Sequence, residues 1–104
     1  MEEQLYTRFD GVFFEKTRLS IMTLLNQEEP LAFNALKHRL GGSDGAIYTH
    51  LEKLIGAGYV AKERELAAGA ARTVYTLTGE GHRVFHDYIE FLAGVLANTQ
   101  GERL

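Results

Sequence analysis

Apolar side chains recur at every third or fourth position in four segments of the chain, which is the spacing that gives a helix one buried face. These segments predict helices over residues 15–26, 33–40, 43–57 and 78–99. Pro30 lies just beyond the first segment and disfavours helical backbone in the residue before it. Gly41 and Gly42 end the second segment, because glycine tolerates the left-handed conformation that closes many helices. The chain is therefore expected to be mainly helical.

Two other segments, residues 59–66 and 72–77, alternate or carry β-branched and aromatic residues, and they predict strands. The small residues 67–71 between them predict a hairpin tip, and Leu31-Ala32 predicts a very short additional strand. The predicted order is α-β-α-α-β-β-α, a mainly α fold with a small β-hairpin (α+β). The second and third helices, joined by a glycine turn, form a helix-turn-helix, and the hairpin behind it forms a wing.

Polar side chains at the predicted helix starts indicate how these helices are capped. Ser43 or Asp44 offers a side-chain oxygen to the first turn of the third helix. Capping is the favoured role for Asp44. Thr78 is the expected cap of the last helix, and Gly81 is expected to be merely tolerated in its first turn.

Three stretches of the sequence resemble the winged-helix regulators of the MarR, ArsR and PadR-like type. SDGAIYTHLEKL (43–54), followed by AGYV (57–60), is similar to their recognition helix and strand entry. RTVYTLTGEG (72–81) resembles their second wing strand and the start of their dimerisation helix, and TRLSIMTLL (17–25) their first core helix. The resemblance covers about residues 15–95 and is closest to the short single-domain form. It implies a winged helix-turn-helix protein that acts as a dimeric repressor or activator on a roughly palindromic operator.

The length of 104 residues predicts one domain over residues 1–104. Within it we expect an N-terminal arm or helix (1–14), a winged-helix core (15–77) and a C-terminal helix (78–99). The net charge is −3, but residues 31–77 carry six basic and four acidic side chains, while both flanking segments are acidic. A basic middle segment suits a domain that turns one face toward phosphate, because the local field matters more than the total charge.

The expected partner is an operator in double-stranded DNA, with the helix at about 43–57 in the major groove and the wing at about 60–77 on the backbone. The candidate DNA contacts are Ser43, Gly45, Tyr48, Thr49, His50, Lys53, Lys62, Arg64 and Arg72. His50 lies at the border of the apolar face, so both packing and DNA contact stay open for it. For Asp44, accepting a hydrogen bond from a cytosine amine is the less favoured alternative to capping. If the strand alternates, Lys62 and Arg64 share one face of the wing. The alanine and glycine tip is less basic than many wings, which weighs against insertion into the minor groove.

A homodimer is expected because the arm and the last helix carry more apolar side chains than so small a body can cover. The predicted interface residues are Leu5, Tyr6, Phe9, Phe13, Phe85, Ile89 and Leu92.

Several other functions are open alternatives. One is a winged helix used for protein–protein contact. Another is a sensor with a small-molecule effector in the dimer cleft, beside Phe13, Phe14, Phe85 and Tyr88. No metal or other cofactor is expected, although His82, His86 and Glu90 follow one another at four-residue spacing and are minor candidates for a metal site.

Enzymatic activity is not expected, since the sequence lacks a nucleophile elbow, a phosphate-binding glycine loop and a convergent acid–base set. The chain has no cysteine, which removes disulfides and thiolate metal sites. The acidic start, Met1-Glu2-Glu3-Gln4, lacks the order of a signal peptide, and no apolar run approaches the roughly 18 residues of a membrane span. A cytoplasmic protein without membrane contact is therefore expected.

Overall fold

The computed structural model describes residues 11–12 and 15–103, with side chains described as far as residue 98. The order of elements is α1 (Lys16–Gln27), β1 (Leu31–Ala32), α2 (Phe33–Leu40), α3 (Asp44–Gly56), β2 (Val60–Ala67), β3 (Ala70–Leu77) and α4 (Gly79–Arg103). This order and the three-stranded antiparallel sheet confirm the predicted winged-helix architecture. Within the described part of the chain, no helix combines the length and apolar character needed to cross a membrane.

The core lies where α1, α2 and α3 meet the inner ends of the sheet strands and the start of α4. Three residues of α1 (Ile21, Met22 and Leu25) are fully buried there. The other buried members are Leu31, Leu36, Ile47, Leu51, Leu54, Tyr59, Val60, Tyr75, Leu77 and Phe85. The three-to-four-residue spacing of the helical members explains why each helix turns one apolar face inward.

The turn between α2 and α3 is closed by two local features. Gly41 adopts a left-handed conformation, with φ of +68°, and its N–H donates to the carbonyl of Lys37 at 2.8 Å. Ser43 is the N-cap of α3, and its hydroxyl oxygen accepts from the Ala46 N–H at 3.2 Å. The prediction that Asp44 is a cap is wrong. Asp44 lies one residue inside the helix, and its carboxylate is 2.6 Å from the Lys37 ammonium.

The wing is the hairpin of β2 and β3, and its register pairs Val60 with Leu77 at the base and Ala67 with Ala70 at the far end. Only Ala68 and Gly69 connect the strands, both with positive φ, so the turn is tighter than the predicted five-residue tip. β3 lies in the centre of the sheet, between β2 and the short β1.

The start of α4 is held against the base of the wing. Thr78 caps the helix as predicted, with its hydroxyl oxygen accepting from the Gly81 N–H at 2.9 Å and its hydroxyl donating to the Gly58 carbonyl at 2.6 Å. A Cβ on Gly81 would lie 2.0 Å from the Tyr59 carbonyl oxygen. Glycine is therefore required at this position, and the expectation that it is merely tolerated is wrong.

Candidate nucleic-acid interface

The helix α3 has one face in the core and the opposite face uncovered. Ile47, Leu51 and Leu54 anchor it in the core, each no more than 1% exposed. Tyr48, with half of its surface exposed, lies on the outer side together with the exposed Thr49 and Lys53. A rigidly anchored helix with an uncovered polar face is what insertion into a groove requires.

Three predicted contact residues near the start of α3 have identifiable roles within the chain. The Ser43 hydroxyl oxygen is occupied as the cap, and the Thr49 hydroxyl donates to the Gly45 carbonyl at 2.9 Å. Thr49 therefore presents its methyl group and its oxygen lone pairs outward, while its proton is already used. A Cβ on Gly45 would meet no atom within 4 Å, so packing within the chain does not require glycine there.

The wing has two faces, because side chains alternate along each strand. The register pairs Lys62 with Tyr75 and Arg64 with Thr73, and these four side chains share one face. An open groove of about 490 Å³ lies on that face, and Tyr48 of α3 lines it together with Lys62, Glu63, Arg64, Thr73 and Tyr75. The structure therefore brings the helix and the first wing strand together around a single groove.

The charge of Lys62 is partly balanced by Glu52 of α3, whose carboxylate oxygen lies 3.4 Å from the Lys62 ammonium. This neighbour raises the pKa of Lys62, first through its charge and then through the hydrogen bond. Burial raises the pKa of the Tyr75 hydroxyl at the floor of the groove, so it stays protonated. Lys62 therefore stays positively charged and is paired with the exposed Glu52 carboxylate. A phosphate that binds Lys62 would have to displace this carboxylate.

Arg72 does not join this groove. It pairs with Glu65 across the hairpin, on the face opposite Lys62 and Arg64. Its Nε and Nη2 atoms donate to one Glu65 oxygen at 3.1 and 2.8 Å. The three wing cations predicted as one group therefore separate into two on the groove side and one, already paired, on the other.

His50 packs between α3 and the start of α1. Its Nδ1 lies 2.9 Å from Nη1 of Arg18 and 3.7 Å from a carboxylate oxygen of Glu15. Arg18 also donates to the carbonyl of Val12, and Glu15 caps α1 by accepting from the Arg18 N–H at 2.9 Å. Because an arginine can only donate, Nδ1 is the acceptor in this arrangement. Sequence reasoning missed Arg18 and Glu15, since they lie 32 and 35 positions before His50 and local patterns do not pair such distant residues.

The two histidines of α4, His82 and His86, contact side chains of the chain itself. Nε2 of His82 lies 2.9 Å from a Glu29 carboxylate oxygen, and the rings of His82 and His86 stack with their centroids 6.2 Å apart. Throughout the described ranges, no group of three histidine, cysteine, aspartate or glutamate side chains is placed to hold a metal ion.

The predicted dimer residues divide into three sets. Leu5, Tyr6, Phe9 and Phe13 lie outside the described residues, as does Phe14 of the possible effector cleft. Phe85 is buried in the core of its own chain, with 4% of its surface exposed. The prediction that it lies at the dimer interface is therefore wrong. Ile89 and Leu92 are exposed, and Val95 and Leu96, which the prediction omitted, are exposed beside them.

Comparison with known proteins places this geometry in a family. Residues 17–96 match the model of the winged helix DNA-binding domain. The MJ0432 protein of Methanocaldococcus jannaschii is 33% identical over 78 residues, which are 75% of this chain and 85% of that protein.

Solved structures share the fold. A transcriptional regulator assigned to the MarR family, from Enterococcus faecalis, superposes with a TM-score of 0.72 at 24% identity, covering 100% of this chain and 97% of that one. Rv1404 from Mycobacterium tuberculosis has a TM-score of 0.78 at 17% identity and covers 85% of this chain, which spans only 59% of the length of Rv1404. The match to a family of DNA-binding domains agrees with the prediction that the chain is not an enzyme. The chain belongs to the winged helix DNA-binding domain family.

Proposed function

We propose that the chain is a sequence-specific regulator of transcription that binds double-stranded DNA as a homodimer. The observation that carries this proposal is the single groove lined by Tyr48 of α3 and by Lys62 and Arg64 of the wing. The major groove of B-DNA is about 12 Å wide and admits a helix. With α3 in that groove, the two wing cations face the phosphates along its edge.

The side chains of α3 and of the wing have different roles in recognition. Tyr48 and Thr49 present an aromatic ring, a methyl group and oxygen lone pairs, which suit thymine methyls and base-edge donors. Lys53, Lys62 and Arg64 offer point charges and a guanidinium, which suit phosphate. Phosphate contacts hold the register of the protein on the duplex, and base contacts select the sequence.

The proposed dimer is formed through α4. Ile89, Leu92 and Leu96 follow at three- and four-residue spacing, and each has more than a third of its surface exposed. On a helical projection this stripe continues the face that Phe85 buries in the core. The apolar face that begins against the chain's own core thus continues as an exposed stripe that no described residue fully covers, which is expected of a helix completed by a second copy.

A fluorescence-anisotropy titration tests the DNA-binding proposal. The probe is a labelled duplex covering the region upstream of the protein's own gene, with an unrelated duplex of equal length beside it. Wild-type protein is expected to prefer the first duplex and to lose about 10³-fold or more in affinity between about 50 and 200 mM salt, as several phosphate contacts require.

Tyr48 supplies the matched pair of variants. We expect Tyr48→Ala to weaken specific binding by about 1–3 kcal/mol, since a base-edge contact is lost. Tyr48→Phe keeps the ring and separates its role from that of the hydroxyl. A flat salt response, or equal affinity of wild type and Tyr48→Ala for both duplexes, would contradict the proposal and favour a protein partner.

A further inference from the structure

Glu52 of α3 and Lys62 of β2 form an ion pair that joins the helix to the wing. Their charged atoms, Oε2 of Glu52 and Nζ of Lys62, lie 3.4 Å apart. Each residue has a rigid support in the core. Glu52 follows Leu51, which is fully buried, and Lys62 pairs in the sheet with Tyr75, which is 3% exposed. The packed helix and strand therefore hold the carboxylate close to the ammonium.

The face of the wing that carries the groove has little excess of positive charge. Lys62 and Arg64 line the groove, but so does Glu63, and Glu52 lies against Lys62. The whole chain also carries a net charge of −3. A paired cation in such surroundings attracts a distant anion only weakly, because the neighbouring carboxylate cancels most of its field.

The pKa of Lys62 reflects its coupling to Glu52. The charge of Glu52 is the largest cause that raises this pKa, and the hydrogen bond from the ammonium to the carboxylate is the second. A carboxylate that stabilises the ammonium in this way has to release or share it when another anion binds. Glu52 is thus an intramolecular competitor that is present beside Lys62 at a high effective concentration.

We propose that Glu52 restrains the binding of DNA of any sequence by competing with backbone phosphate for Lys62. This inference rests on the proposed function, in which Lys62 meets phosphate. Carboxylate and phosphate oxygens are both anionic acceptors, so each can satisfy the ammonium, and the gain from the phosphate contact is reduced by the loss of the ion pair. Because phosphate contacts carry no sequence information, the restraint lowers the affinity for every duplex and leaves a larger share of the binding free energy to base contacts.

Glu52→Gln provides the test, because glutamine keeps the size of the side chain and removes its charge. The full chain is titrated against a fluorescent duplex that the wild type selects from a randomised pool, and against an unrelated duplex of equal length. One exposed ion pair changes an equilibrium by up to about 5-fold, and the proposed dimer carries two such pairs. Glu52→Gln is therefore expected to bind both duplexes at least about 3-fold more tightly than the wild type. The gain is expected to shrink as salt is raised, because salt already screens the pair in the wild type.

Two further variants show whether the gain arises from this ion pair. In a Lys62→Gln background, Glu52→Gln is expected to have only the small effect of removing one carboxylate from the protein surface. Glu63→Gln measures that small effect, expected to be below about 2-fold, since Glu63 is exposed and is the neighbour of Lys62 on β2. Thermal melting is expected to be the same for wild type and Glu52→Gln, because the side chains of the pair are exposed.

The outcomes are distinct. Equal affinity of wild type and Glu52→Gln for both duplexes, or the same gain with and without Lys62, would overturn the inference and leave the proposed function standing. A gain confined to one duplex, or weaker binding of the selected duplex, would overturn it as well, since the carboxylate would then contact a base. Failure of the wild type to prefer any duplex, together with a flat salt response, would overturn the proposed function itself.

Discussion

Gly81 lies where the first turn of α4 crosses the carbonyl of Tyr59. A methyl group there would approach backbone atoms, at 2.0 Å from the oxygen and 3.0 Å from the carbon, and neither can turn aside as a flexible side chain would. We expect Gly81→Ala to lower the free energy of unfolding by about 1–3 kcal/mol, the usual cost of overpacking, even though alanine is the better helix former.

Gly79 is the matched control for this substitution, because it lies in the same helical turn and an added Cβ meets nothing within 4 Å. Gly79→Ala is expected to leave stability unchanged or raise it by up to about 1 kcal/mol. Urea denaturation of the two variants checks the pair, and equal effects would show that the close approach to Tyr59 does not determine stability.

The carboxylate of Glu15 is expected to give stability a pH dependence. Its hydrogen bond from the Arg18 N–H holds its pKa below the ordinary value of 4.5. A group with a lowered folded pKa stabilises the fold above its unfolded pKa, and this stabilisation is lost as pH falls through the folded pKa. Glu15→Ala should therefore cost about 1 kcal/mol at pH 7, a typical loss for a helix cap, and progressively less below about pH 4.5.

Urea denaturation at several pH values measures this difference. Glu15→Gln keeps an acceptor oxygen but cannot titrate, so it should retain part of the stabilisation and lose its pH dependence. A constant gap between wild type and Glu15→Ala down to about pH 3 would contradict the assignment.

At the scale of the elements, the two faces of the wing predict different roles for its arginines. Arg64 lies on the face that meets Tyr48, whereas Arg72 is held by Glu65 on the other face. In the anisotropy titration, Arg64→Ala should reduce the magnitude of the salt slope by about 1.8, because each phosphate contact contributes about 0.9 and the proposed dimer carries two copies of Arg64. Arg72→Ala should change the salt slope by clearly less than Arg64→Ala does. Equal changes for the two variants would show that the register does not decide which cation meets DNA.

The helix-turn-helix was predictable because its signals are local. The bounds of α2 (Phe33–Leu40) were correct, since its apolar spacing and the following glycines act within one or two turns. The cap of α3 was ambiguous, because Ser43 and Asp44 are adjacent and both are good caps. The role of Gly81 was missed because it depends on the carbonyl of Tyr59, which approaches only in the folded chain.

The candidate site was predictable only in part. Helical periodicity identifies the outer face of α3, and strand alternation places Lys62 with Arg64. The separation of Arg72 from them depends on the pairing register, which the length of the turn determines. A five-residue tip was expected and two residues form the connection, so the partner of Arg72 could not be read from the sequence.

For the whole molecule, the exposed stripe on α4 predicts that association depends on Leu92. A carboxylate there would be buried without a partner in the proposed dimer, which is strongly unfavourable. Leu92→Glu is therefore expected to be monomeric by light scattering at a protein concentration of roughly tens of micromolar. Its DNA affinity is expected to be reduced, because one molecule no longer binds both half-sites. Glu90→Lys alters the charge about 160° around the helix from Leu92, and this variant should remain dimeric like the wild type.

Monomeric wild type in the same measurement would contradict the dimer proposal outright. A dimeric Leu92→Glu variant would instead show that the stripe on α4 is not where the two copies meet.

The Glu29 carboxylate, in the loop between α1 and β1, contacts both β3 and α4 at the base of α4. One oxygen accepts from the Leu77 N–H at 2.7 Å, and the other lies 2.9 Å from Nε2 of His82. The 25 residues of α4 extend about 37 Å from this point, so a tilt of about 5° at the base swings the far end by roughly 3 Å. That displacement is close to the rise of about 3.4 Å per base pair. In the proposed symmetric dimer, the angle at which these Glu29 contacts hold α4 is therefore expected to affect the distance between the two recognition helices along the duplex.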